Sequence, residues 1–139
     1  MAYTTKTLLD GKRHLIIALF GEATDATGEN AVVKVDRSAI LGPDGVNPPT
    51  YLAIEEVWGT VGGFEAVHLE WTEAGGIEPI AFLSGDSYHD WSDAPLHPSS
   101  APGVVGDGDI IVSTYDSVGG VGVAIAGDTY YIKLKIRKK

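Results

Sequence analysis

The chain has no cysteine, and that single absence removes disulfide frameworks, cysteine-based zinc sites and thiol nucleophiles together. Long apolar runs are missing as well. The longest, Leu15 to Phe20, is far too short to span a bilayer. The Met1 to Lys6 start lacks the apolar core of a signal peptide, so a protein soluble when made is expected, with no membrane partner. Positive charge is absent from the whole middle of the chain. All ten Lys and Arg lie in the first 37 and last seven positions, and Ser38 to Ile132 contains none. The same stretch carries fourteen of the 19 acids, so the net charge of −9 resolves into an acidic body and basic termini. With the first and last strands side by side, one end of the folded molecule is basic, a polarity suited to docking by that end and repelling neighbours elsewhere. An acidic body is also repelled by phosphates, which argues against nucleic acid as a partner; Lys133 to Lys139 is the one segment that reads as a basic patch.

Helical periodicity is the last thing lacking. Eighteen Gly and seven Pro cut the sequence into short apolar pieces, and none repeats at three and four over a helix length. What is there alternates with period two. Tyr130, Ile132, Leu134 and Ile136 fall on one face of a strand from Asp128 to Arg137, with Lys133, Lys135 and Arg137 on the other. Val67, Leu69 and Trp71 alternate with His68 and Glu70, and Ile110, Val112 and Thr114 with Ser113 and Tyr115. Leu52, Ile54 and Trp58 are expected to share a face. His14 to Phe20 is apolar on both sides, as a central or partner-covered strand would be, and Ile77 to Leu83, Val32 to Asp36 and Val121 to Ile125 complete seven to eight strands. The expected fold is all-β, a β-sandwich of jelly-roll type. At 139 residues it forms a single domain that buries roughly 68% of its unfolded surface, and it needs no metal to fold.

Outside the strands, an extended N-terminal arm over about 1–13 is expected. Gly42-Pro43-Asp44-Gly45 with Pro48-Pro49 predicts a rigid turn, and Gly21 to Ala31 a small-residue loop. The stretch 84–108 has no regular period. It contains Tyr88, Trp91, Pro95, Pro98 and Pro102, so an ordered segment that packs across one end of the sandwich or touches a partner is predicted.

The inventory of reaction chemistry is sparse. His14, His68, His89 and His97 have no metal-ligand spacing, no Gly-x-Ser-x-Gly elbow occurs, and Gly62-Gly63 and Gly119-Gly120 lack the Lys-Ser/Thr of a phosphate loop. Glu55 and Glu56 are neighbours on a strand and are expected to point to opposite faces. Asp86, Asp90, Asp93, Asp107 and Asp109 hold enough oxygens for a hard cation, but their spacing matches no calcium loop, and they read as turn carboxylates. No catalytic residue, metal or cofactor is assigned.

A resemblance runs through most of the chain in order. Thr4-Thr5-Lys6-Thr7-Leu8-Leu9-Asp10-Gly11-Lys12-Arg13-His14-Leu15-Ile16-Ile17 opens it, and Val67-His68-Leu69-Glu70-Trp71 marks the middle. Gly106-Asp107-Gly108-Asp109-Ile110-Ile111-Val112-Ser113-Thr114 and Gly127-Asp128-Thr129-Tyr130-Tyr131-Ile132-Lys133-Leu134 close it. Together these segments resemble the small virion proteins of tailed phages, in particular the capsid decoration, or cement, proteins of short-tailed phages. The 84–108 loop is longer than that pattern. The resemblance implies a jelly-roll protein, made in the host cytoplasm, that sits as an oligomer on the outer surface of the head, with the major capsid protein as its partner. A homodimer is the preferred oligomer and a trimer the runner-up. A non-enzymatic structural role fits the sparse chemistry. Tyr3, Lys6, Lys12, Arg13, Trp91, Lys133, Lys135 and Arg137 are the candidate residues for contacts with capsid or with a second subunit, and Tyr115 is a further aromatic anchor. The rival reading is a carbohydrate- or receptor-binding β-sandwich, which Trp58, Trp71 and Trp91 would serve if exposed in a line.

Overall fold

Ten strands account for most of the computed structural model, which describes residues 1–73, 76–99 and 107–139. In chain order they are β1 (Ala2–Asp10), β2 (His14–Glu22), β3 (Val32–Val35), β4 (Leu52–Gly62), β5 (Ala66–Glu73), β6 (Gly76–Leu83), β7 (Asp86–Asp90), β8 (Ile110–Asp116), β9 (Gly120–Val121) and β10 (Thr129–Lys138). A short 3-10 turn, Arg37–Ala39, is capped by the Asp36 carboxylate, which accepts from the Ser38 N–H.

Two sheets face each other. One runs β1-β2-β10-β4-β7 and the other β3-β8-β5-β6, with the two-residue β9 added against β8, and every pairing is antiparallel. Without β1, the order β2-β10-β4-β7 opposite β3-β8-β5-β6 is the double Greek key of a jelly roll, with successive strands crossing between the sheets except at the β5-β6 hairpin. The expected sandwich is therefore present. The N-terminal segment expected as an arm is extended and lies in the first sheet as its edge strand β1, exposed along its length. Within the 84–108 stretch, Asp86–Asp90 is strand β7 and Leu96 bridges Ile54, while residues 100–106 lie outside the described residues. Pro79 sits in β6, where its missing N–H costs no ladder bond because β6 is a sheet edge.

The core is built from the alternation. Tyr130, Ile132, Leu134 and Ile136 of β10 pack against Val67, Leu69 and Trp71 of β5 and Ile110 and Val112 of β8, all essentially without solvent contact. Trp71 lies between the sheets as its flanking residues predict. β2 is central, with β1 on one side and β10 on the other; its inner-facing Leu15, Ile17 and Leu19 are buried, while Phe20 on the outer face stays 44% exposed.

Strand β4 breaks its own alternation, and this positions the surface described below. Lys135 pairs with Glu56 and Ile136 with Ile54, so Glu55 is an extra residue, a β-bulge. Ile54 and Val57 are both fully buried, and the two glutamates between them turn to the outer face together. Two expectations are thereby corrected. Glu55 and Glu56 do not point to opposite faces, and Trp58 leaves the face of Leu52 and Ile54 for the outer surface.

Candidate binding surface

Because β10 buries its even-numbered residues, its odd-numbered ones line the outer face of the five-stranded sheet, and the register fixes their neighbours. Going across the strands, Thr4, Phe20, Tyr131, Thr60 and Asp86 form one row. Lys6, Ala18, Lys133, Trp58 and Tyr88 form the next. Leu9, Ile16, Lys135, Glu56 and Asp90 form the third, and His14 with Arg137 lies beyond. Four of the predicted contact residues, Lys6, Lys133, Lys135 and Arg137, are thus on one face. Tyr3 belongs to the opposite, inner row with Gly21 and Tyr130, and its ring lies 3.2 Å beneath the Lys34 ammonium. Trp91 is drawn inward against the core and stacks on His89 at 5.3 Å, and its N–H donates to the Glu55 carbonyl at 2.7 Å. Trp58, Trp71 and Trp91 therefore form no exposed line.

At one end of the face the bases converge. The Glu55 carboxylate, bulged outward yet 2% exposed, forms an ion pair with Arg137 at 2.5 Å and lies 3.5 Å from the Lys135 ammonium and 3.4 Å from His14 Nε2. Its burial beneath three basic side chains fixes Arg137 in place, since an uncompensated carboxylate there would be costly. Arg137 in turn borders a depression of about 460 Å³ whose other walls are Arg13, His14, Pro43, Lys138 and Lys139. Lys138 is already paired with Asp10 at 2.5 Å. Lys12 lines a second hollow of about 290 Å³ beside it, with Asp10, Gly11, Leu41, Gly42, Gly45 and Lys138. Pro43 reaches this end through the predicted rigid turn. The Asp44 carboxylate accepts from the N–H groups of Val46 and Asn47, which holds its pKa below the ordinary aspartate value, and Gly42 donates to the Asn47 carbonyl. Thr50 donates to the Lys139 carbonyl at 2.8 Å, which ties the C-terminal residues to the same turn region.

The other end is aromatic. Trp58, Gly59, Thr60, Asp86, Ser87, Tyr88 and Tyr131 enclose a shallow depression of about 360 Å³. Lys133 caps the Trp58 ring at 4.4 Å, and Tyr88 leans on it at 5.4 Å and 40°. The Tyr88 hydroxyl donates to Glu56 at 3.3 Å. Desolvation first, then the charges of Asp90 and Glu56, hold that phenol above its ordinary value and keep it a donor. The expectation of an irregular stretch over 84–108 hides this group, because Tyr88 lies within it. The alternation of Asp86, Tyr88 and Asp90 with Ser87 and His89 was the available signal.

Remaining candidates are dispersed. Asp86 and Asp90 belong to the first sheet, whereas Asp109 precedes β8 of the second and accepts from the Arg37 N–H at 2.8 Å. Burial raises the Asp109 pKa above its ordinary value despite that bond. Asp90 accepts from Ser92 N–H, a turn role. Among the described residues, no group of three or more His, Asp or Glu is placed to hold a metal ion. His68 stacks between Phe82 and Tyr115 at 4.0 and 5.4 Å on the second sheet, far in register from His14. No helix among the described residues is long and apolar enough to cross a membrane.

No family model matches the chain, and no curated protein does. Among solved structures, it is similar over 99% of its length to a putative mannose-6-phosphate isomerase from Ralstonia eutropha, with 12% identity, 85% of that chain covered and a TM-score of 0.36. It is also similar to a mutant of a family 29 carbohydrate-binding module, with 11% identity, 99% of this chain and 86% of that chain covered, and a TM-score of 0.35. Likenesses at these TM-scores carry no argument about what this chain does.

Proposed function

We propose that the protein is a non-enzymatic docking protein whose basic end attaches to an acidic protein surface, and that this surface is the outside of a phage head, as the resemblance implies. There it bridges major capsid protein subunits. The supporting observation is the depression bounded by Arg13, Arg137 and Lys139 on a chain whose central body has no base at all. Exposed ion pairs contribute only about 0–1 kcal/mol each, so one copy binds modestly. Contacts repeated across capsomer boundaries add, and they resist separation of the subunits they span.

The edge strand β1 supplies the apolar complement. Its outer edge has no strand partner among the described residues, and Tyr3, Leu8 and Leu9 are about half exposed. Such an edge invites pairing with another strand, from the capsid or from a second copy in a homodimer. Imaging of intact virions tests the proposal. Density for this jelly roll at regular positions on the head is expected, with the end that bears Arg13 and Lys139 toward the shell; its absence from the head, or attachment by the opposite end, would refute it.

A further inference from the structure

The aromatic end of the outer face is left unused by docking through the basic end. Tyr131 and Arg137 are six residues apart on one extended strand, which separates the two depressions by about 20 Å. Phe20 and Tyr131 are each 44% exposed and Tyr88 is 53% exposed, an unusual concentration of open rings on neighbouring strands. From Phe20 on β2 to Tyr88 on β7 the rings span three strand spacings, about 15 Å. Between them Trp58 is held in place from both sides by Lys133 and Tyr88. The rim is polar: Thr60, Asp86, Ser87 and Tyr88 line it, and Glu56 beside it accepts from the Tyr88 hydroxyl.

We propose that this depression binds a neutral glycan, with the C–H faces of sugar rings laid on Tyr131 and Tyr88 and the sugar hydroxyls donating to Asp86 and Glu56. A small concave site with fixed aromatic walls and a few convergent acceptors suits a short polyhydroxylated ligand. Ordinary protein interfaces are much larger and depleted of acids at their centre, which disfavours a protein occupant here. The local charge selects among glycans. Asp86 is the charged residue among those lining the depression, and the Lys133 ammonium beside it is committed to the Trp58 ring, so sialylated or sulfated sugars are disfavoured.

The test is titration of the intact protein with cellotriose, maltotriose, mannotriose, xylotriose and triacetylchitotriose, followed by calorimetry and by tryptophan emission. Saturable millimolar or tighter binding of at least one trisaccharide is expected, with Tyr88→Ala and Tyr131→Ala each weakening it about tenfold. Asp86→Asn, which removes an exposed rim acceptor with little threat to folding, should weaken it as well. A variant neutralised at Arg13 and Lys139 should bind the sugar as wild type does, so this outcome is independent of head attachment. Failure of all five sugars to bind, or binding unchanged in the tyrosine and Asp86 variants, would overturn the proposal.

Discussion

The two ends of the five-stranded sheet each own a nearly buried carboxylate, and the two are neutralised on opposite sides of the sheet. Under the aromatic end, Glu29 lies inside the sandwich, where it pairs with Lys34 and accepts from the Tyr130 hydroxyl at 2.6 Å. At the basic end Glu55 lies on the outer face, beneath His14, Lys135 and Arg137, whose side chains are about one-third exposed. The inner group is closed: its partners are consumed by one another, and Gly21 leaves the space that the Tyr130 ring fills. The outer one is open, for its cations still face solvent and a further anion. The same chemistry therefore serves cohesion at one end and recognition at the other, and the difference is made by a one-residue bulge in β4.

The comparison assumes a common rigid core beneath both ends. Trp71→Ala should lower stability by about 3–5 kcal/mol and weaken both ends alike, measured by thermal melting; an unchanged midpoint would remove the shared support. Lys34→Met strips Glu29 of its paired cation and should cost about 3 kcal/mol, a loss seen in denaturant unfolding. It should also loosen the start of β1, since Tyr3 loses the ammonium above its ring.

Tyr130→Phe should cost about 2 kcal/mol, because a charged buried acceptor loses a donor. Burial first, and Glu29 second, raise the Tyr130 phenol above its ordinary value of 10.0. The folded state then holds its proton where the unfolded state releases it, so this contribution is intact below about pH 10 and is lost as pH climbs beyond. The Phe variant should lack that alkaline decline. At the open end the effect is smaller and carries a second sign. Glu55→Gln should cost only about 1 kcal/mol, because its cations can turn to water, yet it should tighten attachment to an acidic surface by freeing them. Destabilisation equal to that of Lys34→Met, with weaker attachment, would erase the distinction between the ends.

Much of this was legible in the chain. Period-two alternation in Thr129–Lys138 and Ala66–Glu73 predicted which residues are buried, because each strand has one face on the core. The clustering of bases at the termini foretold a basic end, since β2 and β10 are neighbours. What failed was local. A bulge adds one residue without a mark in composition, so alternation puts Glu55 and Glu56 on opposite faces and Trp58 with Leu52 and Ile54, neither of which holds. Strand β7 is short, acidic and on an edge, which hid Tyr88. Lys34 and Arg37, counted among the terminal charges, are buried: Arg37 donates to the carbonyls of Asp107 and Pro49, contacts that only the fold brings together.

The docking claim is tested most directly by attachment to phage heads stripped of this protein. Arg13, Arg137 and Lys139 would be neutralised together, and occupancy measured across a salt series. Screening shortens to about 8 Å at physiological ionic strength, so wild-type occupancy should fall as salt rises, and the triple variant should show low occupancy with a flattened salt dependence. Wild-type occupancy by the triple variant at every salt concentration would contradict the account.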